Sequence, residues 1–155
     1  MEKSLRLQNA DLLTEYNLFE CDLARPKVKA ADFHGKAAHL KFRERDHQPA
    51  TLCTLVMTSN IDSHGVARYP LGNLPVMDPA TGATLIDAQG RRSFTTSIAF
   101  GPTLGKNIAL AWLPHDYCQV GRELQIQYFG DVYPVQVAAV GYKSLYDPEN
   151  VKPRS

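Results

Sequence analysis

The sequence predicts a mainly β protein, an antiparallel Greek-key β-barrel of about six strands with a leading α-helix. Three observations carry that expectation. From Pro49 onward helical periodicity disappears, and short runs rich in branched and aromatic residues alternate with turn residues. Gln125 and Gln127 alternate with Leu124, Ile126 and Tyr128, the period of a strand with one buried and one wet face. Finally, about six antiparallel strands in roughly a hundred residues suit a closed or nearly closed barrel, which removes the edges that promote aggregation.

Residues 1–48 read as a connecting segment carrying one helix. Pro26 lies among Arg25, Lys27 and Lys29, which suggests an extended chain. Asp32 can accept hydrogen bonds from the free amides of a helix start, and Phe33, Ala37 and Leu40 recur at helical spacing. A helix over about 33–46 follows, with Arg43 and Arg45 suited to its C-terminal end. The barrel takes 49–155 and packs with the helix as one domain. Its candidate strands are Thr51 to Met57, Ala83 to Asp87, Ser93 to Ala99, Ile108 to Leu113, Leu124 to Phe129 and Val132 to Val140. Asp78-Pro79, Thr81-Gly82, Gln89-Gly90 and Gly101-Pro102 supply turns, and Phe129-Gly130-Asp131-Val132 allows a tight hairpin. No internal repeat or low-complexity tract interrupts the pattern.

A chain of 155 residues is one ordinary domain that buries roughly 70% of its unfolded surface. Seventeen Lys and Arg against sixteen Asp and Glu leave a net charge of +1, so the electrostatic footprint of a nucleic-acid binder is missing. No uncharged apolar run approaches the ~18 residues of a membrane span, and the start lacks the apolar stretch of a secretory signal. The expectation is a soluble, cytoplasmic protein without a membrane partner. Cys21, Cys53 and Cys118 form no Cys-x-x-Cys pair, so they are expected to be reduced and structural rather than a disulfide framework or zinc site.

Chemistry-bearing residue types are scattered. His115 and Cys118 offer two ligands of different softness, short of the set a metal requires. His34 and His39 do not share a helix face. Asp62-Ser63-His64 contains triad residue types, but triad members meet through the fold, so a polar loop is expected. Gly101-Pro102-Thr103-Leu104-Gly105-Lys106 lacks the spacing and strand-to-helix context of a phosphate loop and reads as a turn. Trp112 reads as a packed strand aromatic.

The ordered motifs nevertheless resemble a known family. Asp32-Phe33-His34-Gly35-Lys36-Ala37-Ala38 is similar to a helix start of the form Asp-Phe-Ile-Gly-Lys-Glu-Ala. Thr95-Thr96-Ser97 with Gly101-Pro102-Thr103-Leu104-Gly105-Lys106 is similar to Val-Thr-Ser and Ser-Pro-Ser-Leu-Gly-Lys. Ile108-Ala109-Leu110-Ala111 with Leu113-Pro114, Gly121, and Tyr146-Asp147-Pro148-Glu149-Asn150 follow in order. Together they resemble the C-terminal barrel of the glycine cleavage T-protein (aminomethyltransferase) and of dimethylglycine and sarcosine dehydrogenases.

The resemblance implies one-carbon transfer to tetrahydrofolate from a methylated amine or related donor, with the barrel packed against an N-terminal folate-binding body. A pterin edge needs a carboxylate for paired hydrogen bonds, and the reacting nitrogen needs a second acid. The family's second acid is an aspartate well upstream, without a counterpart in this chain, so the barrel alone is not expected to catalyse. The first belongs to a stretch resembling Ser-Leu-Arg-Leu-Glu, where Ser4-Leu5-Arg6-Leu7-Gln8 ends in an uncharged amide. Gln8 and, as a substitute carboxylate, Glu20 are the implied folate contacts. Asn150, Lys152 and Arg154 fall where the family places polar or basic groups, and Lys152 and Arg154 suit the anionic glutamate of folate. The alternative is a degenerate module docked on a flavin-dependent dehydrogenase subunit without folate. A homo-oligomer performing a reduced transfer through Glu20 is a third reading.

Overall fold

The computed structural model describes residues 1–25, 27–149 and 151. Six antiparallel strands, β1 (Ala50–Met57), β2 (Val76–Met77), β3 (Thr95–Gly101), β4 (Lys106–Pro114), β5 (Glu123–Tyr128) and β6 (Asp131–Val140), form one sheet in the order β2-β5-β6-β1-β4-β3. β1 lies between two strands remote in sequence, paired from Ala50↔Pro114 to Val56↔Ile108 with β4 and from Cys53↔Val140 to Met57↔Val135 with β6. The sheet curls into a half-barrel. Its two edges meet through short backbone bonds: Thr95 N–H to the Leu74 carbonyl (2.8 Å), Val76 N–H to the Ser93 carbonyl (3.2 Å), and a Pro75↔Phe94 bridge.

Local chemistry explains the pairing. β5 and β6 join through Phe129 (φ 51°) and Gly130 (φ 88°), directly after the Tyr128↔Asp131 pair. Two successive positive φ angles make the primed turn whose twist matches the strands it joins. In β1 and β4 alternate residues face opposite sides. Cys53, Leu55, Met57, Ala109, Ala111 and Leu113 face a barrel interior completed by Leu124, Ile126, Val135 and Val137. Ala50, Leu52, Leu110 and Trp112 face outward, yet all are buried, under Tyr16, Cys21, Leu12, Leu13 and Leu23. The N-terminal segment 1–25 is therefore a strap laid over the outer face of the sheet.

Two expectations change. Ala83–Asp87 is not a strand: it makes only the isolated bridges Met77↔Thr84 and Ile86↔Arg92, while Val76–Met77 pairs with β5. Leu85 still packs in the interior, which gave the segment its strand-like pattern. The helix α1 is Lys36–Arg43, shorter than 33–46, with Gly35 (φ 84°) rather than Asp32 at its start and no side-chain cap. Lys36 Nζ donates to the Ala30 and Ala31 carbonyls, so a lysine engages the preceding turn where a capping carboxylate was expected. None of the helix residues is buried. Among the described residues no helix is long and apolar enough to cross a membrane.

Candidate functional site

The family-like motifs converge where the strap crosses the barrel. Glu2 begins the arrangement. Its carboxylate accepts the amides of Thr103 (2.9 Å) and Leu104 (3.1 Å), closing the Gly101–Lys106 turn, and its carbonyl accepts those of Leu145 (2.8 Å) and Tyr146 (3.1 Å). Lys3 pairs with Asp147 at 2.7 Å. Further along, the buried Asp11 accepts the hydroxyls of Thr96 (2.5 Å) and Ser97 (2.7 Å) and the Leu7 amide (2.8 Å). Three motifs remote in sequence are thus tied to one strap of chain.

Arg6 points inward between two outward leucines. Its guanidinium donates to the Cys21 carbonyl and lies 5.2 Å from the centre of the Tyr142 ring. Burial holds its pKa below the ordinary arginine value, and the neighbouring Cys21 and Asp22 act in the opposite direction. Leu5 and Leu7 are each 66% exposed, leaving two apolar side chains in water beside an anchored cation. At the far end of the strap Asp22 accepts the Tyr142 amide (2.8 Å). A Cβ on Gly141 (φ 73°) would overlap that carboxylate, so glycine is required by space as well as by conformation.

The strap's second anchor is a buried polar cluster around Arg91. Its Nε donates to Asp87 (2.7 Å), Nη1 to the Glu15 carbonyl (2.7 Å) and Nη2 to Glu20. The other Glu20 oxygen accepts both the amide and the side chain of Asn17, at 2.9 and 2.8 Å. The guanidinium also lies 4.1 Å from the Tyr16 ring centre, and that ring stacks on Trp112 at 3.6 Å with planes 4° apart. Burial opposes the charge of Arg91, but the hydrogen bonds it donates to Glu20 and Asp87 together raise its pKa above the ordinary value. Burial likewise pushes the Tyr16 hydroxyl up, against the effect of Arg91.

The implied ligand residues fare differently. Gln8 is exposed on the strap, beside its bridge to Leu12. Glu20 is 1% exposed, with both oxygens bonded as described. Asn150, Lys152 and Arg154 lie outside the described residues. Asp62 holds its loop through the His64 and Val66 amides and Arg68 Nε, and Trp112 is packed in the outer core. Among the described residues no group of three His, Cys, Asp or Glu side chains is placed to hold a metal ion. Asp11 and Arg91 were missed by sequence reasoning. Asp11 follows the Ser4–Gln8 stretch too far from Thr96 in sequence to suggest a partner, whereas Asp87-x-Gln89-x-Arg91 repeats the local Asp62 pattern and was there to be read.

Residues 73–147 match the family model described as the glycine cleavage T-protein C-terminal barrel domain. An aminomethyltransferase from Saccharopolyspora erythraea is 37% identical over 65 residues, which are 41% of this chain and 18% of that protein. The glycine cleavage system aminomethyltransferase T from Bartonella henselae shares the fold, with a TM-score of 0.69 at 18% identity. That superposition takes in 91% of this chain and 36% of the other, so this chain spans well under two thirds of both relatives. In fold and in matched sequence, the chain resembles the C-terminal barrel domain of the glycine cleavage T-protein.

Proposed function

We propose that this chain is the C-terminal barrel of a folate-dependent aminomethyltransferase-type assembly. It would close one side of a cavity whose pterin-binding and proton-handling acids come from an N-terminal body. The single observation carrying this is that 91% of the chain superposes on only 36% of an aminomethyltransferase. The described residues fit tetrahydrofolate only in part. Gln8 lacks the charge for a charge-assisted pair, and Glu20 would have to release Arg91 and Asn17 to reach a pterin. No chemical step is therefore assigned to either. Gln8 can still offer an amide to the ligand edge, Lys152 and Arg154 can meet an anionic glutamate tail, and Glu20 serves by anchoring the strap that presents Gln8. Leu5 and Leu7 supply apolar surface for the body to cover.

The test is anaerobic calorimetric titration with tetrahydrofolate, on the chain alone and on the chain joined to the N-terminal body of an aminomethyltransferase. No heat from the chain alone and micromolar binding by the joined protein are expected. Absence of binding and turnover in the joined protein overturns the reading. The bonded state of Glu20 together with the uncharged Gln8 favours one second reading, a barrel docked on a flavin-dependent dehydrogenase without folate. Co-purification of such a subunit free of folate would select it.

A further inference from the structure

We propose that Cys53 and Cys118 are a reversible dithiol–disulfide pair, with Cys118 the thiol that reacts with a hydroperoxide and Cys53 the thiol that resolves it. The two residues are 65 apart in sequence, yet their sulfur atoms approach to 3.8 Å. Cys53 is in the central strand β1, between Ala111 of β4 and Val140 of β6, and is fully buried on the interior face. Cys118 reaches the same interior from a different direction. After β4 the chain makes a short 3-10 turn, His115–Tyr117, which the Cys118 amide closes on the His115 carbonyl (3.0 Å), and the half-buried side chain turns back against the barrel core.

The environments of the two thiols assign the roles. Cys118 sits between a buried barrel and exposed neighbours, His115, Asp116, Gln119 and Val120, so a small oxidant has a route to it. The hydrogen bond from Cys53 lowers the Cys118 thiol below its ordinary value. Burial opposes this and bonds from Thr51 assist it. Cys53 is shifted the other way, raised by the same bond and then by burial. The thiolate is the reactive form, so attack starts at Cys118. Its sulfur displaces hydroxide from hydrogen peroxide as the O–O bond breaks, and the released hydroxide takes up the thiol proton to give water and a sulfenic acid. Cys53 sulfur then attacks Cys118 sulfur. The S–S bond forms, the S–O bond breaks, and a second water leaves with the Cys53 proton. Two thiols lose two electrons in all, and one peroxide becomes two waters.

Closure needs the sulfurs to move from 3.8 Å to a bonded distance of about 2.05 Å. β1 cannot supply that movement, because it is paired on both sides. The movement falls to Cys118, which runs on into the exposed Gln119 and Val120. The turn before it is held at His115, by its amide on the Pro49 carbonyl (3.1 Å) and its ring on His47, and at Tyr117, by its hydroxyl on Asp78 (2.9 Å). The bond would staple the turn, and through Tyr117 the loop after β2, to the central strand. Cys21 provides an internal control, because it is also buried and free but lies in the outer core under the strap.

The experiment treats the native full chain with one equivalent of hydrogen peroxide, alkylates under denaturing conditions and maps the peptides by mass. A linked 53–118 peptide pair short of two hydrogens is expected, with Cys21 alkylated and all three thiols restored by dithiothreitol. Cys118→Ser should abolish the linkage. Cys53→Ala, which keeps the buried site apolar should serine not be tolerated, should leave a Cys118 sulfenic acid that dimedone traps. Three alkylated thiols after peroxide, a Cys118 sulfinic acid beside a free Cys53, or a linkage through Cys21 would each overturn the proposal.

Discussion

The two faces of β1 are equally buried and are covered by different means. On the inner face Cys53, Leu55 and Met57 meet other apolar side chains of the barrel, and the alternation of the strands alone brings them together. On the outer face Leu52, with Leu110 and Trp112 of β4, is sealed by a strap that contains neither helix nor extended strand. Its backbone bonds close local turns, such as Asp11 N–H to the Leu7 carbonyl and Cys21 N–H to the Asn17 carbonyl, and side chains tie those turns down: Glu2, Asp11, Glu20 and Asp22 each accept bonds that fix one stretch of it. The inner face depends on area and the outer face on direction. A change of one atom type should therefore be felt more at the strap than in the barrel.

Arg91→Met tests this most severely. It leaves Glu20 and Asp87, whose side chains are 2% and 3% exposed, without their shared cation. Stranding a buried charge costs about 3–5 kcal/mol, a large share of a domain's stability. Urea unfolding should show that loss, and adding Glu20→Gln with Asp87→Asn should recover part of it. A loss no larger than that of a surface substitution would break the comparison.

Leu52→Ala and Leu55→Ala sharpen it. Both leucines are fully buried, so each truncation should cost about 2–5 kcal/mol. The readouts should differ. Leu55→Ala should lower global stability, with amide exchange accelerated throughout β1, β4 and β6. Leu52→Ala should in addition loosen the strap, so that limited proteolysis cuts within residues 1–25 while the barrel stays protected. Identical protease patterns would mean that strap and barrel open as one unit.

This contrast also explains what the sequence made legible. Five of the six strands follow from alternation and turn residues, because the inner face obeys a period of two that needs no knowledge of distant partners. Val76–Met77 was too short to show a period, and Ala83–Asp87 mimicked a strand because Leu85 enters the core from a series of turns. The strap was opaque for a different reason. Asp11 bonds Thr96 and Ser97, and Arg91 bonds Glu20, across 85, 86 and 71 residues, and no local pattern announces such pairs. The motif resemblance located the barrel family, while Glu20, singled out as a candidate ligand, turned out to have Arg91 and Asn17 as bonding partners.

Asp11→Ala should have a middling effect. It removes the acceptor shared by the Thr96 and Ser97 hydroxyls and the Leu7 amide, and buried groups left unpaired cost about 1–3 kcal/mol. The Thr96 hydroxyl retains the Leu110 carbonyl at 3.3 Å, which limits the loss. Exchange at the Leu7 amide should accelerate well beyond the global change, and an unaltered Leu7 amide would show that the strap is held elsewhere.

The smallest effect should come from Asp62, and it isolates what makes Arg91 important. Asp62 accepts the His64 and Val66 amides (2.9 and 2.8 Å) and Arg68 Nε (2.7 Å). Asp87 accepts the Gln89 and Arg91 amides (2.8 and 2.9 Å) and Arg91 Nε (2.7 Å). The local device is the same, but the Arg68 side chain is 47% exposed, while that of Arg91 is 14% exposed and continues to Glu20 and the strap. The Val66 amide is the main cause holding the Asp62 carboxyl below its ordinary value. Burial works against it, and Arg68 and His64 add to it. Because the folded-state pKa lies below the unfolded one, the stabilisation is complete above an unfolded value of about 3.9 and is lost as pH falls through the folded value. Asp62→Asn should lower the melting temperature slightly at pH 7, with the gap to the unaltered protein closing below about pH 4 as the acid loses its charge. A gap that does not narrow at all as pH falls below about 4 would mean that shape rather than charge holds the loop. A gap at pH 7 as large as that of Arg91→Met would mean that the local turn, and not its reach to the strap, sets the strength of both sites.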